Sequence, residues 1–213
     1  MRANVYVDGF NLYYGIKYYE QQFGKLYKWL DIGALARNER PGDTINHIRY
    51  CTARVRPRPN NPDQGKRQEV YIRALRTIPE LTVYFGRFLQ SFTMMRLRHP
   101  PLVGPSFVEV VKMEEKGSDV NLATLMLCDG FANDYDLAIL ISNDSDLVMP
   151  IEVNRTTLKK SVVVLNPGQQ YSNALSQVAN AYRPIAEQSL AASQFPPTLM
   201  DSRGRMITKP AIW

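Results

Sequence analysis

The run "LAILISNDSDLVMPIE", residues 137–152, ends an apolar stretch with Ser142, Asn143, Asp144, Ser145 and Asp146, and then becomes apolar again. Two carboxylates, an amide and two hydroxyls within five residues are more than a strand end needs. A helix N-cap takes one acceptor. Two other places carry acids in comparable settings. Asp8 closes the apolar run "NVYV", with Asn11 three residues on, and Asp119 opens the helical stretch "DVNLATLMLCDGFA" after "FVEVVKM". Capping accounts for Asp119 or Asp144 taken singly, but not for Asp146 or Asp8.

If these acids meet, they repel and raise one another's pKa unless a cation lies between them. All are hard oxygen donors, without an accompanying His or Cys. That composition suits Mg²⁺ or Mn²⁺, which keep waters and share substrate phosphate. The matching chemistry is attack of an activated water on a phosphodiester, with Asp8, Asp119, Asp144 and Asp146 as metal-site acids and Asn11 and Asn143 beside them.

A polyanionic substrate fits the charge distribution. Residues 49–76 contain eight basic and two acidic side chains, a surplus equal to the whole net charge of +6. Arg54, Arg56 and Arg58 alternate at the end of a predicted strand, and Lys66 and Arg67 follow the proline-rich loop "RPRPNNPDQG". With Lys116, they are expected to grip a nucleic-acid strand by its phosphates. Tyr13, Tyr14, Tyr18 and Tyr19 follow Asp8 and offer stacking surfaces for bases, though packing within an aromatic helix explains at least half of them.

The elements needed to converge these acids are legible. Strands are predicted at "NVYV", "INHIRYCTARV", "LTVYFGRF", "FVEVVKM", "DLAILIS" and "SVVVLNP", alternating with helices, the last being "NALSQVANAY". Continuously apolar strands between helices predict an α/β domain with a mostly parallel central sheet covered on both faces. In such a sheet the carboxyl ends share one edge, where ligands bind. From residue 184 the pattern gives way to "QFPPTLMDSRGRMITKPAIW", expected to be an irregular tail, 184–213, packed on a domain of residues 1–183.

Composition excludes other classes. No apolar run approaches the roughly 18–20 residues of a membrane span, and residues 1–10 lack the apolar core of a secretory signal. Cys51 and Cys128 have no CxxC spacing, which predicts buried thiols in a reducing cytoplasm. A haloacid-dehalogenase-type phosphatase needs a second Asp two residues after the first, where Phe10 stands. Neither GxxxxGK[ST] nor GxGxxG occurs.

Three segments, "VYVDGFNLYYG", "KGSDVNLA" and "ISNDSDL", resemble in order and spacing the three motifs of the NYN-domain family, a branch of the PIN-like nucleases, over residues 4–182. The resemblance implies a three-layer α/β fold, a divalent metal held by Asp8, Asp119, Asp144 and Asp146, and ribonuclease activity. A non-catalytic RNA-binding or regulatory module retaining the acids is the alternative. Many members carry a further Asp where this chain has Leu125. Asp129, one helical turn later, could then serve a second cation or a basic side chain such as Arg155.

Overall fold

The computed structural model describes all 213 residues. Six parallel strands form the central sheet: β1 (Arg2–Asp8), β2 (Thr44–Thr52), β3 (Leu81–Phe85), β6 (Leu137–Ile141), β7 (Ser161–Asn166) and β8 (Ala181–Pro184). Their spatial order is β3-β2-β1-β6-β7-β8. Strand alternation sends successive side chains to opposite faces. Ala3, Val5 and Val7 of β1, with Leu137, Ile139 and Ile141 of β6, enter one core against α1 (Gly9–Phe23), α2 (Ile32–Glu39) and α3 (Gln64–Leu75). Tyr6, Ala138 and Leu140 enter a second core, against α4 (Ser118–Phe131), α5 (Val148–Thr156) and α6 (Asn173–Val178). The result is three layers, α/β/α, as the alternation of elements predicted.

The strand assignments need three corrections. "LTVYFGRF" is not one strand: it breaks at Gly86 into β3 and β4 (Arg87–Arg96). A side chain at Gly86 would meet Glu115 Oε1 at 2.3 Å and the Lys116 carbonyl at 2.6 Å, so only glycine fits where the chain leaves the sheet. "FVEVVKM" lies in β5 (Phe107–Lys116), which pairs antiparallel with β4 over ten residue pairs and takes no part in the central sheet. A period-2 pattern reads the same in a sheet strand and in a free ribbon. Finally, the end of "NALSQVANAY" is not helical. α6 stops at Val178, and Ala181 begins β8, a short edge strand that ends on Pro184, a residue tolerated at edges.

Beyond residue 184 the chain forms α7 (Glu187–Ala192) and an antiparallel pair, β9 (Thr198–Met200) with β10 (Met206–Thr208). Ile207 is buried in the first core, and Trp213 packs edge-on against Trp29 and Tyr71, at 6.4 and 5.4 Å between ring centres. No helix is long and apolar enough to cross a membrane. Both cysteines are free. Cys51 is buried but Cys128, expected inside, is exposed on α4.

Candidate metal centre

Asp8, Asp119 and Asp144 come together: one carboxylate oxygen from each lies within 4.8 Å of the others. Asp8 and Ser142 have the parity of Tyr6 and Leu140, so both point into the layer occupied by α4. There Ser142 Oγ donates to Asp8 Oδ2 at 3.1 Å and accepts from the Asp144 N–H at 3.1 Å. One hydroxyl thus ties the ends of β1 and β6 together. Gly9 permits the close turn that follows Asp8, because a Cβ there would lie 2.8 Å from both the Cys51 carbonyl and the Tyr50 hydroxyl.

Asp119 arrives by another route than expected. It comes not from the carboxyl edge of a sheet strand but from the returning strand of the β4–β5 ribbon, which ends one turn before it. Gly117, in the left-handed region at φ 99°, is the N-cap of α4 and contributes no side chain. Glu115 does that work instead: its Oε1 accepts from Ser118 N–H at 3.2 Å and Ser118 Oγ at 2.8 Å. The Asp119 carboxylate makes no hydrogen bond within the protein and is free for a ligand. Glu115 was not among the expected residues. Its signal was an acid three residues before Ser118, at the usual spacing of a capping contact.

Capping divides the acids differently from the sequence reading. Asp8 does cap a helix: Oδ1 accepts from the N–H groups of Phe10 at 3.1 Å and Asn11 at 2.9 Å. Asp144 accepts from Asp146 N–H at 3.0 Å, capping the 3-10 turn Ser145–Leu147. Asp146 is exposed and stands outside the trio, near enough for its charge to raise the pKa of Asp119. Asn11 and Asn143 hold the frame. Asn11 Oδ1 accepts from Asn143 N–H at 3.0 Å, while the Asn143 side chain donates to the Gln170 carbonyl and accepts from Tyr182 Oη.

No Lys or Arg pairs with Asp8, Asp119 or Asp144, although the protein forms ion pairs widely elsewhere. The acidities of Asp8 and Asp119 are shifted accordingly. Burial, with Asp119 and Asp144 nearby, pushes Asp8 up to about 6 against the bonds from Asn11 and Ser142. Burial and the charges of Asp144, Glu115 and Asp146 also raise Asp119. Three hard carboxylates in one small volume, without a basic partner, fit a divalent cation.

Asp8 carries a testable consequence. Its folded pKa lies above its ordinary value of 3.8, so between about pH 4 and 6 the folded protein holds a proton that the unfolded chain does not. In EDTA, this group's contribution is fully present below about pH 4. It is lost as pH rises through 6, an effect of up to about 3 kcal/mol. Asn caps as well as Asp. Asp8→Asn is therefore expected to melt higher than wild type at pH 8 in EDTA and to match it near pH 4. A lower melting temperature at pH 8 would show that the carboxylate serves only as a cap.

The predicted RNA-gripping residues scatter. β2 ends at Thr52, so Arg54, Arg56 and Arg58 lie in the following loop rather than along one strand face. Arg54 pairs with Glu69 and stacks over Phe85 at 4.7 Å. Arg54 and Arg56 join Arg87, Phe85 and Phe88 around a cleft of about 390 Å³. Arg58 is exposed and makes no ion pair, Lys66 pairs with Asp63 at 3.0 Å, Arg67 bonds Asn61, and Lys116 lies 3.7 Å from Glu114. Of the tyrosines, Tyr13 and Tyr14 are exposed, whereas Tyr19 is buried with its hydroxyl on the Ile185 carbonyl. Asp129 pairs with Arg49 at 3.0 Å, not with Arg155, and stands outside the trio.

Comparison with known proteins agrees with this architecture. The chain is 28% identical over 243 residues to 6-hydroxy-3-succinoylpyridine 3-monooxygenase HspA of Pseudomonas putida (strain DSM 28022 / S16), an alignment covering all of this chain and 75% of that one. A crystal structure of VPA0982, a protein of unknown function from Vibrio parahaemolyticus RIMD 2210633, superposes with a TM-score of 0.54 at 15% identity, over 87% of this chain and 93% of that one. It shares the fold. The family model for the NYN domain matches residues 2–186, and the chain belongs to that family.

Proposed function

We propose that this protein is a divalent-metal-dependent ribonuclease that hydrolyses RNA phosphodiester bonds. The observation that carries the reading is the trio Asp8, Asp119 and Asp144, held within 4.8 Å and without a basic partner. When bound, Mg²⁺ or Mn²⁺ would lower the pKa of an attacking water and neutralise charge on the phosphoryl oxygens. The chain's own groups do the rest. Asp8, Asp119 and Asp144 would hold the cation, and exposed Asp146 would accept a proton from an incoming water. Ser142 fixes the Asp8 carboxylate, and the Asn11–Asn143 contact ties α1 to the segment that follows β6. The reading places the protein in the cytoplasm, with a domain of residues 1–183 and RNA as its partner.

Labelled single-stranded RNA incubated with purified protein, in Mn²⁺ or in EDTA, tests this. Cleavage is expected only with the metal. Cleavage unaffected by EDTA, or none in Mn²⁺, would overturn it. If RNA binds but is not cut, the protein is the non-catalytic binding module.

Similarity to HspA along this whole chain favours a second reading, oxygenation of a substituted pyridine. Many non-haem iron oxygenases use two histidines and a carboxylate. Here the clustered donors are all carboxylates, and His47 is engaged by Asp134 at 3.4 Å. Oxygen uptake with 6-hydroxy-3-succinoylpyridine distinguishes the two, and none is expected.

RNA should be gripped by the unpaired arginines. For a single strand, removing one cation that neutralises a phosphate reduces the log–log salt slope of binding by about 0.7. Arg56→Ala/Arg58→Ala removes two and is therefore expected to flatten the slope by about 1.4. Lys66→Ala, already paired with Asp63, is expected to change it little. An unaltered slope in the double variant would remove these arginines from the RNA path.

A further inference from the structure

The β4–β5 ribbon is the least self-sufficient part of the molecule. Residues 87–116 hold eleven of the 23 exposed large hydrophobic side chains in the protein. A lone two-stranded ribbon is marginally stable in water, and both its edges are open for pairing or packing. Residues paired directly across an antiparallel ladder point the same way. Its two faces can therefore be read from the register, which joins Phe88 to Glu115, Gln90 to Met113, Phe92 to Val111, Met94 to Glu109 and Arg96 to Phe107.

Five of the ten side chains on that face are exposed apolar groups: Phe92, Met94, Phe107, Val111 and Met113 are between 40% and 68% exposed, around the central Phe92–Val111 rung. The other face is centred on the polar Ser91–Lys112 rung, with Lys112 paired to Glu114 at 2.8 Å, and carries three exposed large hydrophobics, Leu89, Met95 and Val108. The apolar face begins beside the metal centre, where the Phe88 ring meets Phe10 edge-on at 5.7 Å.

We propose that this face docks on the same face of a second copy of the chain, the two ribbons crossing antiparallel about a two-fold axis at the Phe92–Val111 rung. A second copy is favoured by self-complementarity. A two-fold at that rung lays the Arg96–Phe107 rung of one ribbon over the Phe88–Glu115 rung of the other. Arg96, which has no ion pair within its own chain, then meets a carboxylate and a phenyl face. The Met94–Glu109 rung falls on Gln90–Met113, methionine near methionine and amide near carboxylate. Phe92 meets its own copy at the centre. A closed two-fold contact of this kind is isologous and does not propagate into fibres. It also brings Arg96 of the second copy to the mouth of the site, since Glu115 is one of the charges acting on Asp119.

Ten residues of ribbon are about 33 Å long, on two strands about 5 Å apart. The face covers less than the roughly 800 Å² per partner of a standard interface, so association is expected in the micromolar range. Sedimentation velocity across 1–100 μM, as orders of magnitude around such an affinity, should show the 24.3 kDa chain approaching twice its mass. Phe92→Glu and Arg96→Glu should each shift the midpoint at least tenfold. Both positions are exposed, so neither change should alter folding. In a Cys128→Ser background, Phe92→Cys should form an intermolecular disulfide on oxidation, and Leu89→Cys, on the other face, should not. A monomer at all concentrations would overturn the proposal, as would equal cross-linking of both cysteine variants. Loss of RNA binding by Phe92→Glu without any change in mass would make the face a nucleic-acid surface and overturn it too.

Discussion

Asp119→Asn is expected to reduce metal-dependent RNA cleavage at least about a hundredfold, the upper end of what losing even an outer partner of a metal ligand costs. Mn²⁺ affinity in titration calorimetry should fall in parallel. Asp119 is the sharpest of the three acids to change, because it has no structural duty. Asp8 caps α1 and Asp144 caps the 3-10 turn, whereas the Asp119 carboxylate bonds nothing within the protein and its helix is capped through Glu115. The amide is isosteric and removes a charge raised in pKa by burial and by three acidic neighbours. Melting in EDTA should therefore be unchanged or slightly higher. Asp144→Asn should lose the same activity, with its cap preserved. Retained cleavage in Asp119→Asn, with Mn²⁺ bound as tightly as by wild type, would place both metal and chemistry elsewhere.

What the sequence could reveal follows the range of the interactions involved. Asp8 at the end of β1 and the Ser142–Asp146 cluster beyond β6 are local patterns. They appear in the structure where spacing put them. The three layers follow from strands apolar on both faces. The misreadings required knowledge of what lies far along the chain. Nothing local distinguishes β5 from a core strand: "FVEVVKM" is as β-prone as "LAILI", and only the pairing with β4 marks it as a ribbon. Asp119 was expected at the trio and is found there, but the argument from a shared sheet edge gave the wrong reason, since the ribbon delivers it. β8 is four residues long and polar enough to pass for a helix end. Glu115 was legible as a capping acid but looked like one charge in a polar turn. The ion pairs of Arg54 and Lys66 depend on which loop residues face each other, and an arginine count cannot supply that.

Asp129 is the clearest case of a long-range partner deciding a residue's role, and replacing it should cost more stability than any other single change considered for this protein. α4 runs back across the sheet from Asp119 at the carboxyl edge. Ten residues later, about 15 Å at 1.5 Å per residue, Asp129 lies beside Asn4 and Tyr6 of β1, away from the trio. There it forms a two-pronged pair with Arg49, at 3.0 and 3.1 Å, and accepts from Tyr6 Oη at 2.9 Å. Both members of the pair are mostly buried, with side chains 17% and 13% exposed. Removing one member strands the other charge, so Asp129→Ala should cost about 3 kcal/mol, the lower end for a buried pair. For a chain of this size that lowers the melting temperature by about 8 °C. Arg49→Met in the same background should recover part of the loss, because an apolar replacement of both partners leaves no unpaired charge. Cleavage measured well below the melting temperature should be unchanged. Leu125 packs against the second core, so Leu125→Asp should destabilise the protein without strengthening Mn²⁺ binding. If Asp129→Ala instead abolished cleavage while melting like wild type, Asp129 would belong to the metal centre, and the family's missing acid would have moved one turn along α4.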